Sequence, residues 1–244
     1  MNGGKLKKLL VFDFDGTLYI NNDERRMRNL LTELNALSED YVISVASGRP
    51  YHLLKNYFLD FPRIYIISND GALISKDDRV IYENPIDKGI LDSIDKDFEW
   101  AAYGESISYL HFKNRSSGIR WMEFFKYHGV YISSVLNIKE NIYKIMVNDR
   151  VFEIPGLKKC YDSYGVTEFV NADADKGEAV LKLSEILKLA KGDIISFGDG
   201  QNDISMFKVS GRSYAYKNAS PDVRKEAYGL FDRLDIDKIK ERIL

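Results

Sequence analysis

A single cysteine, Cys160, stands in a chain of 244 residues. One thiol excludes an internal disulfide and a multi-thiolate zinc site, so the chain reads as intracellular and Cys160 as a core thiol. With 5 prolines and no Pro/Gly/Ser-rich tract, there is little material for a flexible linker, and any joins between domains are expected to be short. Excess charge of one sign is missing too. The 35 Lys and Arg against 37 Asp and Glu leave a net charge of −2, which argues against a nucleic-acid partner. No apolar stretch approaches the roughly 18 residues needed to cross a bilayer. The apolar run behind the basic N-terminus, Leu9 to Phe12, is cut short by Asp13, which disfavours a signal peptide. No membrane partner and a cytoplasmic location are expected. Two catalytic signatures are also lacking. No G-x-x-x-x-G-K-[ST] phosphate loop occurs, and the histidines His52, His111 and His128 are not accompanied by a G-x-S-x-G elbow.

Hydrophobic residues, at 45%, are sufficient for one large domain or two smaller ones. Leu9 to Phe14 reads as a buried strand, and Met27, Leu30, Leu31, Leu34 and Leu37 follow at helical spacing. Tyr41 to Ala46 and Ile64 to Ile67 are further apolar runs. Continuous runs alternating with amphipathic helices predict a parallel sheet covered on both faces, with function-bearing loops at the strands' carboxyl ends. Asp13, Ser47 and Asn69 fall at such ends. From Ala72 the pattern turns antiparallel, and residues 84–171 read as a mixture of helices and strands, with a helix expected around Ile119 to Phe125 and another before Val166. The parallel pattern resumes at Lys176, with strands at Ile194 to Gly198 and Tyr214 to Tyr216. The predicted architecture is α/β: a Rossmann-like parallel-sheet core formed by residues 1–83 and 172–244, with an inserted α+β domain at 84–171.

Asp13-Phe14-Asp15-Gly16-Thr17 sets two carboxylates two residues apart where a strand ends. A calcium loop is ruled out because Gly16 directly follows the second Asp and no Glu closes the loop. Gly198-Asp199-Gly200-Gln201-Asn202-Asp203 is a second acidic turn after a second apolar strand. Carboxylates converging from two turns would repel one another without a cation, and magnesium takes oxygen ligands of this kind. Lys176 is a further source of positive charge, although a lysine at a helix start is usually solvated. Ser47-Gly48-Arg49 offers a hydroxyl and backbone N–H groups to a phosphate oxygen, or else a polar turn before Pro50.

In this order, Asp13-Phe14-Asp15-Gly16-Thr17, Ser47, Lys176 and Gly198 to Asp203 resemble the four motifs of the haloacid dehalogenase superfamily, and within it the Cof-type sugar phosphatases. Asn218-Ala219-Ser220-Pro221-Asp222-Val223 and the lysine-bearing Tyr143-Lys144-Ile145 resemble further segments of that type. The chain departs from it at Asn69-Asp70-Gly71-Ala72, where the family usually has Asn-Gly-Ala, and in a short tail. The resemblance implies the superfamily's fold with a cap at 84–171 that sets specificity, and a magnesium-dependent hydrolase acting on a small phosphorylated metabolite. It implies Asp13 as a nucleophile forming an aspartyl phosphate and Asp15 as general acid and base. Ser47, Gly48, Lys176 and Asn202 are expected on the phosphate. Magnesium is expected on Asp13, the Asp15 carbonyl and Asp199, with Asp203 binding it through water or orienting Lys176. Ion pumps, which carry Lys in place of Asp15, and dehalogenases, which lack that aspartate, are disfavoured. A phosphomutase and a non-catalytic phospho-ligand binding protein are the alternatives. Trp100, Tyr103, Tyr109, His111, Lys113, Arg115, Arg120, Trp121 and Lys144 are candidates for touching the leaving group, or core residues.

Overall fold

A computed structural model describes residues 8–94, 98–112, 114, 116, 119, 123, 129–131, 138–148, 153–163 and 165–243. In chain order the first strands are β1 (Leu9–Asp13), β2 (Val42–Ala46), β3 (Tyr65–Ser68), β4 (Leu73–Lys76) and β5 (Arg79–Glu83). There follow β6 (Trp100–Gly104), β7 (Ser108–His111), β8 (Gly129–Tyr131), β9 (Ile142–Val147), β10 (Leu157–Ser163) and β11 (Val166–Asn171). The chain then returns with β12 (Ile194–Gly198), β13 (Arg212–Tyr216) and β14 (Gly229–Phe231). They form two sheets. The first has eight strands in the order β14-β13-β12-β1-β2-β3-β4-β5, and the second has six in the order β10-β11-β9-β6-β7-β8.

The first sheet is parallel except for the β4–β5 hairpin at its edge. Every residue of β1 is buried, the burial expected of a central strand covered on both faces. On one face lies the helix Glu24–Leu37, whose Asp23 cap accepts the Arg26 N–H at 2.9 Å and whose Met27, Leu30, Leu31, Leu34 and Leu37 turn inward. The other face is covered by Lys176–Leu187, through Ala179, Val180 and Leu183, together with Met206 and Phe207. This helix begins where Asp175 accepts the Glu178 N–H at 2.9 Å, which fixes Lys176 at its first turn. Because β1 lies between β2 and β12, the loops after these three strands open side by side at one edge.

The second sheet differs from expectation in one place: residues 157–163 are the strand β10, antiparallel to β11, and not a helix. Its sequence, LKKCYDS, has no helical apolar stripe, and its ladder partner lies just beyond it in the chain. Ile86, Leu91 and Ile94 pack with Trp100, Ile145 and Phe169 on one face of this sheet. Most of the segment expected to be helical around Ile119 to Phe125 lies outside the described residues, as do Lys113, Arg115, Arg120 and Trp121. No helix among the described residues is long and apolar enough to cross a membrane.

Candidate active site

The two acidic turns meet because β1 and β12 are parallel neighbours in register, Phe12 beside Phe197, so both chains leave the sheet at the same level. After Asp13 the backbone reverses through Gly16, at φ 84°, where a Cβ would run into the Asp199 carboxylate. Thr17 Oγ1 donates to Asp199 Oδ1 at 2.9 Å, tying the first turn to the second. Within the second, Asp203 Oδ2 accepts the backbone N–H groups of Asp199 and Gly200, each at 2.9 Å. Lys176 Nζ then bridges Asp13 Oδ1 and Asp203 Oδ1, both at 2.6 Å. All three side chains are buried. Lys176 is thus not the solvated helix-start lysine that its position in the sequence also allowed.

Burial and the neighbouring Asp203 push the Asp13 carboxyl well above its ordinary pKa, with Lys176 pulling the other way. Burial likewise raises Asp199. For Lys176 burial acts against the charged form, but Asp13 and Asp203 outweigh it and hold the ammonium above its usual range. Oxygens of Asp13, Asp199 and Asp203 come within 4.8 Å of one another, and the second Asp13 oxygen is buried without a protein partner. Raised carboxylates around an orphaned oxygen are a hard donor set with excess negative charge. These residues fit a divalent, oxygen-preferring cation such as magnesium.

Asp15 turns away from this cluster. Arg49 holds it through Nε to Oδ2 at 2.9 Å and Nη2 to Oδ1 at 2.7 Å, a bidentate pair. The guanidinium lies 5.2 Å from the ring centroids of Phe14 and Tyr19 and 5.6 Å from that of Tyr57. Ser47 Oγ reaches Asp15 Oδ2 at 3.4 Å and accepts the Arg49 N–H at 3.1 Å. A cavity of about 640 Å³ opens between the two sheets, and Asp13, Asp15, Gly48, Lys176, Asn202 and Asp203 line it. Of the residues expected on phosphate, Gly48, Lys176 and Asn202 line this cavity, and Ser47 is buried beside it.

Three residues in this cavity carried no such expectation or only a faint one. Arg49 stands next to Ser47 and Gly48, but its pairing with Asp15 depends on the aromatic residues gathered around it. Asp70 is buried, with Oδ1 accepting from Asn202 Nδ2 at 3.0 Å and Oδ2 from Lys144 Nζ at 2.8 Å. Lys144 itself comes from β9 and also donates to the Gly48 carbonyl at 2.9 Å and to Glu168. The unusual Asn-Asp-Gly-Ala segment was the one sequence signal for Asp70. Trp100 and Tyr103, by contrast, are core residues of the second sheet.

The fold and this cluster define an α/β protein with a buried, lysine-bridged acidic site at its strand ends. The sequence profile of the haloacid dehalogenase-like hydrolases matches residues 10–237. The chain belongs to that family, as a phosphatase of the Cof type. It is 25% identical to the 5-amino-6-(5-phospho-D-ribitylamino)uracil phosphatase YwtE of Bacillus subtilis, covering 90% of this chain and 91% of the relative. Identity to the phosphoglycolate phosphatase of Sulfurisphaera tokodaii is also 25%, over 97% and 94% of the two chains. Among solved structures, TM0651 from Thermotoga maritima superposes with a TM-score of 0.80 at 23% identity, covering 98% of each chain. The subclass IIB sugar phosphatase BT4131 superposes at 0.76 with 19% identity, over 97% and 98% of the chains. The fold is shared with both.

Proposed function

We propose that this protein is a magnesium-dependent phosphatase that hydrolyses a phosphomonoester of a small metabolite, a sugar phosphate or similar compound, through an aspartyl phosphate on Asp13. The observation that carries this reading is the arrangement of Asp13: one carboxylate oxygen is fixed by Lys176 at 2.6 Å, and the other is buried without a protein partner. Such an oxygen is oriented and poorly solvated, as a nucleophile toward phosphorus must be.

In the first half-reaction the Asp13 oxygen bonds to phosphorus while the bond from phosphorus to the ester oxygen breaks. Asp15, released from Arg49 and entering the cycle as the protonated acid, gives its proton to this departing oxygen and becomes the carboxylate. In the second, Asp15 takes a proton from water as the water oxygen bonds to phosphorus, orthophosphate leaves, and the Asp13 carboxylate is restored. Ser47, the Gly48 N–H, Lys176 and the Asn202 amide hold the phosphoryl oxygens. Asp13, Asp199 and the Asp15 carbonyl would hold magnesium, with Asp203 orienting Lys176, and the ion would supply charge neutralisation between carboxylates and phosphate. We assign residues 84–171 as the cap that covers this site and sees the leaving group.

The test is a screen of phosphorylated metabolites with magnesium present, read by release of orthophosphate. Sugar phosphates, phosphoglycolate and 5-amino-6-(5-phospho-D-ribitylamino)uracil belong in the panel because the relatives act on such esters. Release of orthophosphate from one group of esters, abolished by chelation and by Asp13→Asn, is the expected result. An isomerised phosphate ester without orthophosphate would identify a phosphomutase, and binding without turnover would identify a phospho-ligand binding protein.

A further inference from the structure

Lys144 reaches across from the second sheet and is buried at the floor of the cavity, with its ammonium on Gly48 O, Asp70 Oδ2 and Glu168. Three acceptors use all three of its N–H donors. Asp70, from the core, touches the loops that the proposed function places on phosphate. Its N–H donates to Ser47 O at 3.1 Å, and its Oδ1 accepts from Asn202 Nδ2 at 3.0 Å. Its carboxylate also lies against Gly48, where a Cβ would stand 3.0 Å from both oxygens. Asn69 and Asp70 are both left-handed, at φ 51° and 52°, and two successive non-glycine residues in that region are held there by the tertiary structure.

The charges in this cluster are unevenly shared. Burial alone would raise the Asp70 carboxyl, but Lys144 and Lys176 bring it down to about 2. Burial pushes the Glu168 carboxyl up, with Lys144 opposing. Asp70 and Glu168 are both counter-charges of Lys144, and Asp70 is the one that also touches Asn202 and the Gly48 loop. A carboxylate in contact with Asn202 and the Gly48 loop repels a phosphate dianion at that site unless a cation compensates it. That cation is delivered by the cap.

We propose that Asp70 is a positioning residue that makes phosphate binding depend on docking of the cap. With Lys144 seated, the Asp70 charge is compensated and Asn202 is oriented with its second amide hydrogen free for a phosphoryl oxygen. With Lys144 withdrawn, the phosphate loops face an unpaired carboxylate. By linkage, phosphate favours the seated cap as much as the seated cap favours phosphate. The inference rests on the phosphatase reading above and adds to it the means by which the core registers the cap.

A double-mutant cycle tests it: calorimetric titration of orthophosphate, with magnesium, into the full-length protein and its Lys144→Met, Asp70→Asn and doubly substituted variants. Lys144→Met is expected to weaken phosphate about tenfold or more. In the Asp70→Asn background the same substitution is expected to cost less than about threefold, since Glu168, the carboxylate left to Lys144, is not the one in contact with Asn202 and the Gly48 loop. With p-nitrophenyl phosphate, KM should carry the coupling while kcat changes less. Should Lys144→Met fail to fold, the comparison is the double variant against Asp70→Asn and Lys144→Arg against wild type, with near-equal affinity expected within each pair. Additive losses would overturn the inference, as would a double variant binding more than about tenfold below Asp70→Asn. A wild-type protein that binds no orthophosphate overturns the phosphatase reading itself, a result distinct from additivity in a protein that does bind.

Discussion

Asp13 and Lys176 answer one another at the level of single side chains. Three carboxylates gathered in a buried site cost more than they return unless a cation is present, and Lys176 offsets only part of that. Asp13→Asn should therefore lower turnover by roughly 10³-fold or more, since an amide is a poor nucleophile. In metal-free buffer it should melt no lower than the wild type, because a neutral amide escapes the burial and the Asp203 repulsion that raise the Asp13 carboxyl. Steady-state kinetics and a thermal melt on the same preparation check both halves. Lys176→Met has the opposite signature. It leaves Asp13 and Asp203 buried without compensation and should cost about 3–5 kcal/mol in urea denaturation, partly restored by a second change, Asp203→Asn. Stability unaffected by Lys176→Met would show that the bridge is not what holds the two turns together.

At the scale of elements, the acidic turns work because strands place them and glycine lets them close. Gly16→Ala adds a Cβ where the Asp199 carboxylate stands and forces a side chain into a left-handed turn, at φ 84°. The strain costs on the order of 1–2 kcal/mol, and the displaced Asp199 should raise the magnesium concentration for half-maximal activity by roughly tenfold. A magnesium titration of wild type and variant measures it. The core elements were legible in the sequence because burial on both faces writes a parallel strand as an unbroken apolar run, and the runs of β1, β2 and β12 stop at the polar turns that carry Asp13, Ser47 and Asp199. The strand-end positions of Asp13, Ser47 and Asp199 were legible for the same reason, while the roles proposed for them, and for Lys176, came from the order of motifs that resembles the family's. The strand at 157–163 was not, since its ladder to β11 is made by backbone groups and its side chains show little alternation. Nor were the pairings of Arg49 and Asp70, whose partners Asp15, Lys144 and Asn202 lie 34, 74 and 132 positions away. Two of these contacts join loops at one edge of the first sheet and the Lys144 pair joins the two sheets, arrangements that no local pattern encodes.

Between the two sheets the described contacts are both apolar and polar: Tyr143 and Val170 of the second sheet lie in the apolar cluster of the first, and Tyr143 Oη donates to Glu83 at 2.6 Å. Besides Lys144, the second sheet meets the core where His52 Nε2 shares a hydrogen bond with Ser108 Oγ at 3.1 Å and where Lys158 pairs with Asp175 at 2.6 Å. Burial lowers the His52 pKa, opposed by the Gly104 backbone and Glu140, with Lys55 adding to it. An imidazole whose folded pKa lies below its unfolded value, near 6.5, binds fewer protons folded than unfolded, so stability falls as pH drops below about 6.5. His52→Asn should flatten that part of the pH–stability curve, measured by urea denaturation between pH 7 and 5. The two crossings between the sheets run side by side, because Asn171 Nδ2 donates to the Pro85 carbonyl at 2.8 Å. Residues 86–170 are therefore replaceable by a short Gly-Ser bridge from Pro85 to Asn171, and the proposed phosphoryl-transfer residues all remain. Once its folding is verified by circular dichroism and gel filtration, this core should hydrolyse p-nitrophenyl phosphate but no longer rank sugar phosphates as the intact protein does. It also lacks Lys144, so the Asp70 carboxylate faces the phosphate loops alone, and adding Asp70→Asn to the shortened chain should lower KM for that small ester. A shortened chain that kept the parent's ranking of metabolites would locate specificity in the core loops around Asp70 rather than in the second sheet.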